Sequence, residues 1–153
     1  MVDHLVDTNV LIVGSAAVAP KYPDVSVNAE AIETVFEWLC AFRDDESRKL
    51  VLDDLWKIYE EYNHKLDGQH FGLHVIHEKL QTGLRTVPVD YDGDGFGVVP
   101  QGLAAVDNSD KKFVAAALHD PCNIHIINAA DSDWKQHEDA LLAHGIVVQE
   151  LLP

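Results

Sequence analysis

The amino-acid sequence predicts a single α/β domain, spanning residues 1–153, in which helices pack against a parallel β-sheet. The first observation is the length, because a chain of 153 residues corresponds to one domain with a substantial core. The second is the composition, since 47% hydrophobic and 24% charged residues are typical of a globular protein. The third is the alternation of short aliphatic runs with segments of helical periodicity, which favours a parallel sheet of about five strands.

The first half of the chain contains two predicted strands and two predicted helices. Residues 3–7 form an aliphatic strand, after which the chain bends. Ser26 or Asn28 is placed to cap the helix AEAIETVFEWLCAF, whose apolar residues recur at helical spacing. The run KLVL is the second strand, and the segment DDLWKIYEEYNHKL is a helix that ends at Gly68.

The second half of the chain repeats this alternation. A weaker helix is predicted at residues 70–81, and RTVPV is a short strand before the loop DYDGDGFG. A helix begins after Asp107, and the strand NIHII follows it. The helix SDWKQHEDALLAH ends at Gly145, and IVVQELL is the last strand.

The net charge restricts the classes of partner. The chain carries 26 acidic and 11 basic residues, for a formal charge of -15, whereas nucleic-acid-binding proteins usually carry a basic patch. Three interpretations follow. The substrate is not a polyanion, a local cation-rich site overrides the negative electrostatic field of the protein, or a partner protein supplies the contacts with nucleic acid.

The sequence predicts a cytoplasmic protein that does not enter a membrane. No basic, apolar leader precedes the first strand. The longest nearly apolar run, Val10 to Ala19, is shorter than the roughly 20 residues that cross a bilayer. The two cysteines, Cys40 and Cys122, are too few for a disulfide scaffold and fit a reducing compartment.

Aspartates follow the predicted strands at the edge where a ligand is expected. Asp7 ends the first strand and Asp131 follows the strand NIHII, and parallel strands bring their carboxyl ends to one edge of a sheet. Asp107 and Asp110 begin the helix between them, Asp107 as its cap and Asp110 at the third position of a capping box. Each acid also has a plain structural interpretation, since Asp commonly caps helices and Asp133 suits a first helical turn.

Together, Asp7, Asp110 and Asp131 predict a metal site. Carboxylates that converge repel one another unless a cation binds between them, and a set of oxygen ligands suits Mg²⁺ or Mn²⁺. Such ions activate water and neutralise charge in phosphoryl transfer. A fourth acid is expected from the helix that ends at Gly68. There the helical period places Glu61 nearer the buried face than Glu60, although it separates the two only weakly.

At these residues the sequence resembles a PIN domain. The matching segments are LVDTNVLI, EEYNHKL, DNSDKKFVAAAL and INAADSDW, in this order, and they extend from the first strand to the last helix. PIN domains are three-layer α/β/α nucleases with a parallel sheet, and their acidic residues hold one or two Mg²⁺ or Mn²⁺ ions that cut single-stranded RNA. The resemblance therefore implies a metal-dependent endoribonuclease.

The resemblance also implies a role for each matching acid. Asp7, Asp110 and Asp131 would hold the ion. Glu61 would bind the ion or orient the attacking water, so these four are the implied catalytic residues. Asp133 matches an accessory metal-binding acid. Cleavage would leave 5′-phosphate and 3′-hydroxyl ends, by analogy with the family.

The residues implied to contact the substrate are Thr8, Asn9, Asn128, Lys111 and Lys112. Thr8 and Asn9 complete the opening DTN of the family. Asn128 departs from the family pattern, because its position is often Thr or Ser in PIN domains. The two lysines, together with Lys135, lie close in sequence to the acids and could contact flanking phosphates. Taken singly, each lysine is better explained as part of a solvated helix surface.

The resemblance leaves the biological role open. Many PIN proteins are toxins of toxin–antitoxin pairs and commonly form dimers, so an antitoxin-like protein partner and a homodimer are both compatible with this chain. The alternative function is a PIN-like module that binds RNA or protein without cutting. A Mg²⁺-dependent phosphatase of the haloacid dehalogenase type is disfavoured. It requires Asp at the second position after Asp7, where Asn9 stands.

Two further metal motifs are incomplete. The segment DYDGDGFGVVPQ spaces its acids as an EF-hand does, but Gln101 stands where a bidentate Glu is needed, so a glycine-rich turn is favoured. The surrounding loop, residues 90–103, also departs from the PIN pattern and leaves the substrate groove undefined. His70, His74 and His77 follow helical spacing, but no glutamate follows His70 as a zinc protease requires.

Overall fold

The protein is built on a central β-sheet, seen in a computed structural model that describes residues 2–18, 27–67 and 70–153, apart from the side chain of His70. The strands are β1 (Asp3–Val6), β2 (Leu50–Asp53), β3 (Leu84–Val87), β4 (Ile124–Asn128) and β5 (Val147–Glu150). They form one sheet in the order β3-β2-β1-β4-β5, and every neighbouring pair is parallel. The predicted parallel α/β architecture is therefore confirmed.

Helices cover this sheet and complete a three-layer α/β/α arrangement. They are α1 (Thr8–Ser15), α2 (Ala29–Asp44), α3 (Lys57–Lys65), α4 (His70–Thr82), α5 (Lys111–His119), α6 (Asp133–Gln136) and α7 (Glu138–Ala143). Helices α1, α2 and α4 pack against one another, while α3 contacts α5. Two 3₁₀ turns, Gln101–Leu103 and Asn108–Asp110, lie in the connection between β3 and α5.

Strand β1 lies at the centre of the sheet, between β2 and β4. The β1 residues Leu5 and Val6 are fully excluded from solvent, as is Val51 of β2. This burial is expected for a parallel sheet whose two faces are both covered. Val6 lies opposite Ile127 of β4, so these two strands end side by side at one edge of the sheet.

Three element boundaries differ from the predicted ones. Helix α1 follows β1 directly, where the sequence pattern predicts only a bend. Helix α3 begins at Lys57, whereas the predicted helix begins at Asp53. The difference arises because Asp53 is still part of β2 and Trp56 has a left-handed φ of 63°. The helix predicted at residues 132–144 is interrupted at His137, whose φ of -111° and ψ of 14° separate α6 from α7.

Residues predicted to bound helices do so at two helix ends. The Oδ1 atom of Asn28 accepts a hydrogen bond from the N–H of Ala31 at 2.8 Å and caps α2. Gly145 follows α7 with a φ of 77°, which glycine adopts without steric cost. The other two predicted boundary residues, Ser26 and Gly68, lie outside the described residues.

No helix within residues 2–18, 27–67 and 70–153 is both long enough and apolar enough to cross a bilayer.

Candidate metal centre

The candidate site lies at the carboxyl ends of β1 and β4. Asp7 directly follows β1, and its backbone N–H donates to the carbonyl of Ile127 in β4 at 3.0 Å. Asp131 lies in the loop after β4, and Asp110 directly precedes α5, a helix that contacts both strands. The parallel sheet therefore brings three separate segments to one edge, as the sequence predicts.

Three carboxylates converge at this edge. One carboxylate oxygen from each of Asp7, Asp110 and Asp131 lies within 4.8 Å of the others. Asp7 is only 5% exposed, and the other two aspartates are partly buried. Within the described parts of the chain, no ion pair involves any of the three. Because converging carboxylates repel one another, the group is a candidate cation site.

Asp7 is held rigidly from two sides. Its Oδ1 atom caps α1 by accepting from the N–H of Asn9 at 3.4 Å, and its Oδ2 atom accepts from Nε1 of Trp134. Burial raises the pKa of Asp7 to about 6, with a smaller upward contribution from the charge of Asp131, while the two hydrogen bonds oppose the shift. The cap and the candidate ligand are thus the same side chain. Trp134 is a site residue that sequence reasoning missed, although a buried indole N–H generally requires an acceptor.

Asp107 and Asp110 have different roles in the structure. Asp107 caps the 3₁₀ turn, because its Oδ1 atom accepts from the N–H of Ser109 at 2.9 Å and from its hydroxyl at 2.6 Å. Asp110 ends this turn immediately before Lys111, and its side chain makes no capping hydrogen bond. The predicted capping box is therefore wrong, since a 3₁₀ turn intervenes, and the Asp110 carboxylate is left to face the other two acids. Burial, followed by the charges of Asp7 and Asp131, raises the pKa of Asp110 to about 7.

Two asparagines fix the loop that carries Asp131. The Nδ2 atom of Asn9 donates to Oδ1 of Asn128 at 2.9 Å. The Oδ1 atom of Asn9 accepts from the N–H groups of Ala129 and Ala130. Nδ2 of Asn128 donates to the carbonyl of Asp131 at 2.8 Å. These predicted substrate-binding residues thus have their side-chain amides engaged within the protein, where they position the third aspartate.

Strand β5 supports the same loop. Nδ2 of Asn128 also donates to Oε2 of Glu150 at 2.7 Å, and the two residues are paired in register across the sheet. Sequence reasoning missed Glu150, which lies inside the predicted strand IVVQELL and becomes the last residue of β5 in the structure. Asp133 donates its backbone N–H to Oδ1 of Asp131 at 2.9 Å. Its own carboxylate lies outside the group of three.

Glu61 borders the three aspartates without joining them. Its charge raises the pKa values of both Asp7 and Asp110, so it lies close enough for electrostatic coupling. Its Oε2 atom accepts from the hydroxyl of Thr8, and its Oε1 atom accepts from Nζ of Lys112 at 2.7 Å. Among the described residues, the group whose oxygens lie within 4.8 Å contains no glutamate.

The predicted phosphate-contacting lysines have distinct surroundings. Nζ of Lys111 donates to Oδ1 of Asn108 at 2.8 Å, and Lys112 is paired with Glu61. Lys135 is exposed and lines an open cavity of about 340 Å³ that also borders Asp131. The cavity beside the third aspartate is therefore wide enough for part of a ligand.

The donor set of the three aspartates suits a small divalent cation. All its ligand atoms are carboxylate oxygens, which Mg²⁺ and Mn²⁺ prefer. Two oxygens on opposite sides of octahedral Mg²⁺ lie about 4 Å apart. The spacing of at most 4.8 Å among the Asp7, Asp110 and Asp131 oxygens is close to this value. The residues present therefore fit the ion that the sequence predicts.

The two incomplete metal motifs form ordinary local structure. Oδ1 of Asp92 accepts from the N–H groups of Asp94 and Phe96, and Gly95 has a φ of 84°, as in a tight glycine-rich turn. On α4, Nε2 of His77 contacts the hydroxyl of Tyr59 at 3.3 Å. His74 lies 4.0 Å from Glu78.

Comparisons with known proteins assign this chain to no family. No family model matches it, and no curated protein or solved structure matches it significantly.

Proposed function

We propose that this protein is a metal-dependent endoribonuclease that hydrolyses phosphodiester bonds of single-stranded RNA. The observation that carries the proposal is the convergence of Asp7, Asp110 and Asp131 within 4.8 Å, around a buried carboxylate with a raised pKa. Such a group is destabilised by repulsion unless a cation binds. The resemblance of the surrounding segments to PIN domains supports the choice of substrate and reaction.

A bound Mg²⁺ or Mn²⁺ would activate water and neutralise charge on the phosphate. The side chains of Asp7, Asp110 and Asp131 would hold this ion, each from a different segment. Trp134 keeps the Asp7 carboxylate in a single orientation through its indole N–H. The loop hydrogen bonds from Asn9 and Asn128 keep Asp131 at the same edge. Preorganisation of this kind lowers the cost of assembling a site when the substrate arrives.

The acidic surface restricts the substrate and suggests a partner. A formal charge of -15 repels RNA at long range, so binding depends on local contacts or on a second protein. We therefore propose a selective RNA substrate and include two further possibilities, an antitoxin-like protein partner and a homodimer. A cytoplasmic location is part of the same proposal. Asp133, which lies outside the group of three, is assigned at most an accessory role.

The same acidic surface favours one alternative function. A PIN-like module that binds RNA or protein without cutting would need neither a metal nor an exposed basic groove. The alternative predicts that substitution of Asp7 leaves binding unchanged, whereas the nuclease proposal predicts loss of cleavage.

One experiment separates these two functions. Purified protein is incubated with single-stranded RNA in Mn²⁺ or in EDTA, beside the Asp7→Asn variant and an Asp139→Asn control on α7. The nuclease proposal expects cleavage only by the wild type and the control, and only with Mn²⁺. Absence of cleavage by the wild type, or equal cleavage by Asp7→Asn, contradicts the proposal. Metal-free protein that gains no thermal stability from Mn²⁺ contradicts the metal site itself.

A further inference from the structure

We infer that Lys112 is a positioning residue that limits the metal centre to one ion, because it pairs with Glu61 and keeps that carboxylate from acting as a ligand. The inference rests on the proposed metal site and adds the stoichiometry of that site. It assigns Lys112 a role other than phosphate contact and Glu61 a role other than metal ligation.

The ion pair between Lys112 and Glu61 is largely shielded from solvent. Nζ of Lys112 lies 2.7 Å from Oε1 of Glu61, and the two side chains are only 14% and 12% exposed. The same Nζ donates to the carbonyl of Ser109 at 2.6 Å and lies 5.3 Å from the ring centroid of Phe113. Solvent and salt screen such a pair much less than a surface pair. The ammonium group of Lys112 is therefore held in a fixed position beside Glu61.

Both carboxylate oxygens of Glu61 are already engaged. The Oε1 atom accepts a hydrogen bond from Nζ of Lys112, and the Oε2 atom accepts one from the hydroxyl of Thr8. Thr8 is the neighbour of Asp7, and Lys112 follows Asp110 by one intervening residue. Glu61 on α3 thus ties the start of α1 to the start of α5, the two segments that present the first two aspartates. Its contribution is to hold these segments together.

The charge balance indicates what Lys112 prevents. Lys65 also approaches Oε1 of Glu61, but at 3.8 Å and with a side chain that is 48% exposed, so its contribution is weak. Without Lys112, Glu61 would become a nearly unpaired, shielded carboxylate beside three others. Such a group is costly unless a cation binds it. A second divalent ion is the cation that an all-oxygen set of four carboxylates would take.

The test counts Mn²⁺ ions bound to the full metal-free chain, by calorimetric titration and native mass spectrometry. The wild type should bind one Mn²⁺ per chain, and the Lys112→Met variant should bind two. Lys111→Met is the matched control and should bind one, because Lys111 contacts Asn108 and not Glu61. Two ions on the wild type, or a single ion on Lys112→Met, would overturn the inference while leaving the metal site intact. A wild type that binds no Mn²⁺ would instead contradict the site and the inference together.

A second variant keeps the test decisive if Lys112→Met does not fold. The double variant Glu61→Gln/Lys112→Met removes both charges and preserves the volume of the pair, a change that buried ion pairs often tolerate. It should still bind one Mn²⁺, with an affinity within about tenfold of the wild type. Loss of Mn²⁺ binding by a folded double variant would show that Glu61 is a ligand and would overturn the inference.

Discussion

The indole Nε1 of Trp134 donates a hydrogen bond to Oδ2 of Asp7, between residues 127 positions apart in the chain. Trp134 lies on α6 and is only 2% exposed, so this contact joins the end of β1 to the segment that follows Asp131. One hydrogen bond thereby orients a candidate ligand and helps to bring two of the three aspartates together.

Substitution of Trp134 by Phe should weaken metal binding and raise the pH that metal binding requires. The indole hydrogen bond favours the ionised carboxylate, so its loss raises the pKa of Asp7 further above about 6. The affinity for Mn²⁺ should fall by about tenfold, more at pH 6 than at pH 8, as measured by calorimetric titration. Trp38→Phe is the control, because Trp38 packs against His4 and Phe42 instead. Unchanged affinity in Trp134→Phe at both pH values would contradict this prediction.

The contribution of Asp7 and Asp110 to the stability of the metal-free protein should fall as the pH rises from about 4 to about 7. The pKa of Asp7 is raised to about 6 and that of Asp110 to about 7, from an ordinary value of 3.8. In this interval these two carboxyl groups bind more protons in the folded protein than in the unfolded chain, so their contribution to the free energy of unfolding falls with increasing pH. Buried His4, whose pKa is lowered to about 4, contributes in the opposite direction. Chemical denaturation at a series of pH values measures how the free energy of unfolding changes with pH.

The Asp110→Asn variant isolates this contribution to the pH dependence. With increasing pH its free energy of unfolding should fall less, or rise more, than that of the wild type, because one of the two groups with a raised pKa is removed. Saturating Mn²⁺ should also oppose the decrease, since it binds the ionised carboxylates of the folded state. Equal slopes for the variant and the wild type would exclude Asp110 as the source.

Asp107 and Asp110, three residues apart, should respond differently to substitution. Asp107→Ser retains a capping oxygen, so it should cost less than about 1 kcal/mol of stability and leave Mn²⁺ binding intact. Asp110→Asn should abolish Mn²⁺-dependent RNA cleavage, and it should stabilise the metal-free protein because repulsion from Asp7 and Asp131 is reduced. Thermal unfolding with and without Mn²⁺, combined with a cleavage assay, tests both variants. Loss of Mn²⁺ binding in Asp107→Ser would contradict this division of roles.

Asn128→Ala should destabilise the fold and weaken the metal site. Asn128 is 2% exposed, and its amide links Asn9, Asp131 and Glu150. Removal of the amide leaves partners without hydrogen bonds, which should cost about 2 to 3 kcal/mol in chemical denaturation. Asn123→Ala serves as the comparison, because Asn123 is exposed and, among the described residues, its side chain hydrogen-bonds only to Asp120. Equal losses in the two variants would exclude a special role for Asn128.

Gly97→Ala should be destabilising, whereas Gly93→Ala should be nearly neutral. A Cβ atom at Gly97 would lie 2.8 Å from backbone atoms of Lys111 and Lys112, but one at Gly93 would meet nothing within 4 Å. The loop of residues 90–103 would have to move away from the start of α5, at a cost of about 1 to 3 kcal/mol. Thermal unfolding of the two variants measures the difference, and similar values would show that the loop does not pack closely on α5.

The order of the main elements is predictable because the signals for strands and helices are local. Apolar residues that recur at helical spacing identify α2 and α5, and aliphatic runs identify β1, β2 and β4. The placement of Asp7 and Asp131 at strand ends follows from the same signals. Less local features are predicted less well: α1 is missed, and the capping box at Asp110 is replaced by a 3₁₀ turn.

The sequence by itself determined the parallel α/β class and the edge of the sheet at which the acids lie, because both follow from short-range periodicity and from the geometry of parallel strands. Only the tertiary structure decided which side chains those acids contact. Glu61 and Lys112 are 51 positions apart, and their pairing depends on how α3 packs against α5. The burial that raises the pKa of Asp7 likewise arises from packing between distant segments, which no local pattern in the chain records.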